Sequence, residues 1–369
     1  MGRPPTTAVH PETDRPMADI AYQADDQGVA AEDLRTAIRL ERFFSRPGFL
    51  VRRAHQISNA SFADDLGALH LTPTQMSSLV VIVDAPGIDQ ITLARRIGVD
   101  RTTASMVVNG LSQHGFIHCE RSARDARRNE ITATRAGTAC IHLARDHAVR
   151  NTQKLLHAFS VAEVDRLHEL LRRLVNEVRA SPPEWVRPDG SSRFSRDNSD
   201  LEEAFPGHAG LYGAFGFLLR RAHQTLEAAF VECAQALSLT PRRYGVMQIT
   251  SQCEPLEQIA LARWLALDGS TTASVVTELV NHGYLLRTPH PADRRRRLLE
   301  LADKGRTTLA RAQPMAEEAS QRAMEVLGDD ADEFVRLMRT FLVSNDALSR
   351  GQSQRAVTLR ALQALSPAS

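Results

Sequence analysis

The sequence predicts a mainly α-helical chain with small β hairpins, built from two copies of one domain. The first observation behind this is an internal repeat, the feature to look for before any other. Gly-Phe-Leu-Val-Arg-Arg-Ala-His-Gln begins at Gly48, and Gly-Phe-Leu-Leu-Arg-Arg-Ala-His-Gln begins at Gly216. The same ungapped offset aligns Leu71-Thr72-Pro73 with Leu239-Thr240-Pro241, Leu93-Ala94-Arg95 with Leu261-Ala262-Arg263, and His114-Gly115 with His282-Gly283. Roughly a third of the positions over about ninety residues are identical, and the period is far too long for a solenoid. The second observation is composition: aromatic residues are only 5% of the 369 residues, and Ala, Leu and Arg are abundant, which favours helix. The third is local: each copy places two short helices around a tight turn and follows them with an alternating hairpin.

The elements follow in order. Residues 35–68 carry helical periodicity with a break near Pro47-Gly48. Thr72 caps a helix whose first turn takes Pro73, and this helix stops at Pro86-Gly87. Asp89 or Gln90 opens a short helix ended by Gly98. Asp100 caps the next, from Arg101 to about His114, ended by Gly115. Residues 116–121 and 128–133 read as the two strands of a hairpin with a polar tip at 122–127. Residues 135–158 and 161–180 are helical, with Ser160 as the cap between them. The second copy repeats this order: helices at about 209–237, 241–253, 256–266 and 270–282, a hairpin at 284–301, and helices at 303–327 and 330–350. The expected domains are therefore 33–180 and 209–350, both winged helix-turn-helix units. Residues 1–32, rich in Pro, Thr, Asp and Gln, read as a disordered tail, 181–208 as a linker, and 351–369 as a C-terminal tail. A linker of that length spans on the order of 30 Å as a coil, enough for the two domains to pack side by side.

A helix-turn-helix places its second helix in the major groove. On the first copy Arg101, Thr102, Thr103, Ser105 and Asn109 lie near the start of that helix, where short hydroxyls allow close approach and Asn bonds adenine edges. Ser270, Thr271 and Thr272 take the corresponding places in the second copy. The hairpins carry Arg121, Arg124, Arg127 and Arg128 around Asp125, and Arg294, Arg295 and Arg296 after Asp293. Arginine suits the narrow minor groove electrostatically. The net charge of +1 excludes a wholesale basic nucleic-acid binder but leaves room for such local patches. The copies differ: Arg101 becomes Gly269, Asn109 becomes Thr277, and Arg124 becomes Ala292. The expected partner is a double-stranded DNA operator that is an imperfect palindrome.

Residues 86–117, the Asp125 and Arg127-Arg128 hairpin, and Gly137 opening a helix closely resemble the MarR family of bacterial transcription regulators, as does the counterpart at 256–305. The resemblance implies winged helix-turn-helix domains whose outer helices interlock, normally as homodimers, with two recognition helices in successive major grooves. It implies a repressor that leaves DNA on binding a small phenolic or aromatic acid, and a wing aspartate that orients a neighbouring arginine. This chain departs from the family by fusing two copies, so the expectation is a pseudo-dimer within one chain.

In similar regulators the effector lies between the first long helix and the helix-turn-helix. The face holding His55 and His223, with Arg52, Arg53, Arg220 and Arg221 beside them to meet a carboxylate, is the candidate effector site. A thiol redox switch is the rival, with Cys119, Cys140 and Cys253 near arginines or helix ends. A protein-interaction scaffold, in which one copy no longer touches DNA, is the other alternative. An enzyme is not expected: the chain carries no phosphate-binding glycine loop, HExxH or GxSxG. The four cysteines lie far apart without a CxxC pair, so neither a disulfide framework, a metal site nor a cofactor is expected. No apolar run reaches the ~18–20 residues of a membrane helix and the first residues lack a signal-peptide core, so a cytoplasmic protein is expected.

Overall fold

The computed structural model describes residues 39–66, 71–121, 129–176 and 214–345. The expected tails and linker, and the ends of both expected domains, lie outside the described residues. After a helical segment at 39–44, the chain breaks at 45–46 and α1 (Pro47–Leu66) starts on its proline, a residue pre-set for a first helical turn. Next comes α2 (Pro73–Asp84), opened by a full capping box: Gln75 N donates to Thr72 Oγ1 at 3.2 Å, and Thr72 N donates to Gln75 Oε1 at 2.9 Å. Asp89 caps α3 (Gln90–Ile97) by accepting from Ile91 N and Thr92 N, each at 3.0 Å. Gly98 ends it in the left-handed region, at φ 67°. Asp100 then caps α4 (Arg101–Gln113).

Strands β1 (Ile117–Arg121) and β2 (Asn129–Ala133) pair antiparallel, with Cys119 opposite Ile131. The bundle of this half closes with α5 (Arg135–Leu155) and α6 (Val161–Asn176), the latter behind a Ser160–Glu163 capping box. The second half repeats the order with α7 (Phe215–Cys233), α8 (Pro241–Cys253), β3 (Leu256–Glu257), α9 (Gln258–Leu265), α10 (Gly269–Asn281), β4 (Leu285–His290), β5 (Asp293–Leu301), α11 (Asp303–Met324) and α12 (Ala331–Ser344).

Two features went unread in the sequence. Leu256 pairs with Leu299 as a third strand, β3, in what was expected to be helix. Its repeat partner Ile88 makes a single bridge to Ile131. A two-residue strand is too short to show alternation. The other is the reason for the glycine that the motif places after each wing. A Cβ on Gly137 would lie 2.1 Å from the carbonyl oxygen of Phe116, and one on Gly305 would lie 2.1 Å from that of Tyr284. The helix after each wing can approach the wing's entry strand only because those positions lack a side chain.

Among the described residues two apolar cores result. One lies under α2, α3, α4 and the wing of the first half, around Leu79, Ile82, Leu93, Ile97 and Ile131, and receives Phe217 from the second half. The other fills the second helix-turn-helix and runs on between the halves, joining Phe44, Leu50, Leu167 and Leu171 to Phe215, Leu219, Phe334 and Phe341. Here α1 packs against α7, α6 against α7, and α12 against α1. Phe44 stacks on Trp264 with ring centroids 5.8 Å apart. At the far end, Arg166 bonds Glu333 at 2.8 Å and pairs with Asp330, while Arg173 Nη2 donates to Leu327 O at 2.9 Å.

Candidate DNA interface and effector pocket

The recognition helices are set by their caps. Asp100 accepts from Thr103 N at 2.9 Å and from Thr103 Oγ1 at 2.7 Å. Asp268 accepts from Thr271 N at 2.7 Å, and from Thr271 Oγ1 and Ser270 Oγ at 2.6 Å each. These bonds hold both carboxyls below the usual carboxylate range. The hydroxyl protons of Thr103, Ser270 and Thr271 are thus spent on the caps, and only their lone pairs remain for a groove. Ser105 is half-buried and accepts from Gln90 Nε2 at 2.6 Å, which ties α3 to α4. Arg101, Thr102 and Asn109 are exposed as expected.

Thr272 is not a DNA-facing residue. It is 1% exposed and its hydroxyl donates to Asp268 O at 2.8 Å. Its repeat partner Ala104 is equally buried and in line with Val107, Val108 and Leu111, a signal already present in the spacing. Sequence reasoning also passed over two exposed residues. Met106, on α4, is 62% exposed. Arg287, on β4, is exposed and reaches Thr277 Oγ1 of α10 at 3.5 Å.

Of the wing residues, Arg121 is exposed at the end of β1, while Arg124, Arg127 and Arg128 lie outside the described residues, as does the side chain of Arg294. In the second wing Arg295 and Arg296 are exposed. The contacts of the second wing's aspartate and of one of its arginines are these. Asp293 accepts from the backbone N of Arg295 at 2.9 Å, whereas Arg296 is gripped by both oxygens of Glu257, one bond at 3.0 Å. Glu257, the residue before α9, raises the Arg296 pKa and aims its guanidinium.

The six residues expected at an effector site divide. Arg220 is buried and donates through Nη2 to Ile97 O at 2.6 Å, and Arg52 donates to Leu265 O at 3.0 Å. Gln224 Nε2 donates to Gly98 O at 3.0 Å, and Gln56 Nε2 to Ala266 O at 3.4 Å. Ile97 and Leu265 are repeat partners, as are Gly98 and Ala266. The first long helix of each half therefore closes the C-terminus of the first helix of the other half's helix-turn-helix. Arg221 joins this set at Gly98 O, 3.3 Å. Arg53 is 5% exposed and donates to Gln56 Oε1 at 3.4 Å. Arg53, Arg220 and Arg221 are thus structural donors rather than carboxylate receptors.

A pocket of about 110 Å³ lies where the halves meet. Its walls are Phe43, Arg46, Phe49 and Arg52 from the first half, and His223, Phe230, Arg242, Tyr244, Leu265 and Ala316 from the second. Arg52 and His223 are the two expected residues that line it; His55 does not. Arg46 Nη1 donates to the Tyr244 hydroxyl at 3.0 Å. Burial, with Arg53 and Arg242 nearby, pushes the Arg52 pKa down to about 10, so it stays cationic at neutral pH. His55 and His223 face each other with ring centroids 5.6 Å apart, and Asn59 Nδ2 donates to His55 Nε2 at 3.1 Å. Burial, then His223 and Arg220, lowers the His55 pKa to about 4.

The thiol alternative is not favoured by the surroundings of its three cysteines, although Cys119 is exposed. Desolvation lifts the thiols of Cys119, Cys140 and Cys253 above their ordinary pKa, and a reactive cysteine needs the opposite shift. Among the described residues no helix is long and apolar enough to cross a membrane.

Comparison with known proteins agrees with this architecture. Two MarR family models match, one at residues 70–128 and one at 239–296. The chain is 36% identical over 118 residues to a protein of Thauera aromatica described as "Putative transcriptional regulatory protein for hcr operon", covering 31% of this chain and 68% of that protein. It is 33% identical over 131 residues to the HTH-type transcriptional regulator YybA of Bacillus subtilis, covering 36% and 85%. It is 29% identical over 109 residues to the HTH-type transcriptional repressor NicR of Pseudomonas putida, covering 30% and 69%. With a recognition helix and a wing in each half, and a family match on each, the chain belongs to the MarR family of transcriptional regulators and carries two MarR domains in tandem.

Proposed function

We propose that one chain acts as its own dimer on DNA, a repressor whose α4 and α10 read two unlike half-sites of one operator and which a small aromatic acid releases. The observation that carries this reading is the reciprocal capping: Arg220 on Ile97 and Arg52 on Leu265. Each half holds the other's helix-turn-helix, so the two readers move as one body, as two subunits of a homodimer would. The domains are taken as 33–180 and 209–350, with the segment between them as the covalent tether. Repression is supported by the likeness to the repressor NicR. Unlike half-sites follow from unlike readers, Arg101 and Asn109 against Gly269 and Thr277.

Release by an effector follows from Arg52, which lines the pocket and also caps α9. The aromatic walls suit a flat ring, and Arg46, Arg52 and Arg242 suit a carboxylate. An acid that draws Arg52 away from Leu265 O frees the end of α9 and loosens the seat of α10. Such a ligand shifts the equilibrium only through its different affinity for the two arrangements.

The test is selection of an operator from random duplexes, followed by footprinting and light scattering of the complex. One chain per operator with two unlike half-sites is expected, along with affinity that falls steeply with salt, at a log–log slope of about −0.9 per phosphate neutralised. Two chains per operator or a strictly symmetric site overturns the proposal.

A further inference from the structure

On the exposed face of α4, between Thr102 and Asn109, stands one large apolar side chain. Met106 is 62% exposed, one helical turn beyond Thr102 and three residues before Asn109, while Ala104, Val107, Val108 and Leu111 point into the core. A single exposed apolar residue elsewhere on a protein asks for no explanation. On this face, however, its exposed neighbours one turn to either side, Thr102 and Asn109, are polar. The fold does not demand an apolar residue at this place. Its repeat partner on α10 is Ser274, also exposed, on a helix of the same length with the same aspartate cap. Helix formation does not select methionine either, since Lys, Gln and Glu have nearly the same propensity.

The major groove carries one methyl group on its edge, the C5 methyl of thymine, among donors and acceptors. Methionine is long, unbranched and polarizable, and so adapts to a methyl at slightly varied depth. Resting on the duplex-binding reading above, we infer that Met106 is a specificity-determining residue that reads a thymine methyl in the half-site facing α4. Ser274 makes no such demand in the half-site facing α10. The two halves of the operator therefore differ in a property that no symmetric dimer produces.

The test uses the unmodified chain and chemically altered DNA. In the selected operator each thymine within the footprint is replaced in turn by deoxyuridine, which removes one methyl and leaves base pairing intact. Binding is measured by fluorescence anisotropy. Affinity is expected to fall about three- to five-fold at a thymine in one half-site, the value of one buried methyl, with no such position in the other. Met106→Ala is expected to abolish the thymine–uracil difference, and Ser274→Met to create one in the second half-site. Tight binding that ignores uracil at every position overturns this inference alone. Failure to retain any duplex overturns the DNA-binding reading and this inference with it.

Discussion

Arg220 donates to the carbonyl oxygen of Ile97 across 2.6 Å, closing the end of a helix 123 residues earlier in the chain. Its repeat partner Arg52 does the same for Leu265, 213 residues later. A helix end needs donors for its last carbonyls, and these two ends take them from the opposite half. The turn between α3 and α4 is therefore fixed by α7, and the turn between α9 and α10 by α1.

Replacing Arg220 with Met keeps most of the buried volume and removes the donor. A hydrogen bond from a charged group contributes about 1.5–3 kcal/mol, so the urea midpoint falls accordingly. Because Ile97 belongs to the DNA-reading unit of the other half, duplex affinity falls as well. Arg220→Lys recovers neither, since a lysine ammonium cannot reproduce the planar fork of the guanidinium. Unchanged stability together with unchanged affinity would show that the bond is idle.

At Gly137 and Gly305 an added side chain would run into backbone. An added Cβ meets a backbone oxygen at 2.1 Å in each case, and backbone cannot swing aside as a side-chain end can. Overpacking in a core costs about 1–3 kcal/mol, and displacement of the wing adds loss of DNA binding. Gly137→Ala is expected to lower the melting temperature and to abolish protection on one side of the footprint. Gly305→Ala is expected to do the same on the other.

The two helix-turn-helix corners are not equally relaxed. Gly98 takes a left-handed conformation that suits glycine, but Ala266 takes it too, at φ 49°. A side chain there costs about 1–2 kcal/mol. Ala266→Gly is expected to raise stability by about 1 kcal/mol, read as a higher urea midpoint, less the extra freedom glycine gains in the unfolded chain. The reverse change, Gly98→Ala, is expected to cost more than strain alone, because its Cβ would fall 1.7 Å from Arg221 Nη1.

What was legible in the sequence was local. Thr72, Asp89 and Asp100 announce their helices because each cap bonds within three residues of itself. Gly98 announced its corner, while Ala266, with no such chemistry, left the matching corner unmarked. The effector site was half legible. Arginines at 52, 53, 220 and 221 show charge in the sequence but not what satisfies it: all four donate to internal acceptors, and of them Arg52 also lines the pocket. The pocket itself was hidden because Tyr244, Arg242 and Arg46 come together from segments that only the packing of the two halves brings into contact. Glu257 was missed for a similar reason: its grip on Arg296 spans the sheet rather than a turn.

The facing histidines set a pH dependence with a definite sign. His55 has an ordinary pKa of 6.5 and a folded value of about 4, and burial also depresses His223, with Arg52 and Arg242 adding to the shift and Glu227 opposing it. Between these pKa values the unfolded chain binds a proton that the folded chain does not. Stability is therefore fully present above about pH 6.5 and is lost as pH falls toward 4. The His55 contribution is at most about 3 kcal/mol. Urea midpoints measured from pH 7 to pH 4.5 are expected to decline, and His55→Gln, which keeps an acceptor for Asn59, is expected to flatten the decline. A slope identical to that of the unmodified chain would remove His55 as its cause.

The same asymmetry that separates the two readers separates the two candidate effector positions. The pocket uses Tyr244, Arg242 and Leu226, whose repeat partners are Met76, Thr74 and Ser58. The phenol, one cation and an apolar wall are thus lacking at the matching place in the first half. One aromatic acid is expected to bind per chain, where a symmetric dimer would bind two. Titration calorimetry against benzoate, salicylate and 4-hydroxybenzoate measures that number directly. Arg52→Gln is expected to weaken binding at least ten-fold, the loss of a charge-assisted pair, and to uncouple what binding remains from DNA release. His55→Ala is expected to leave the stoichiometry unchanged, since His55 lies outside the pocket. Two equivalent sites per chain would place the effector elsewhere, and binding without any change in DNA affinity would separate the pocket from regulation.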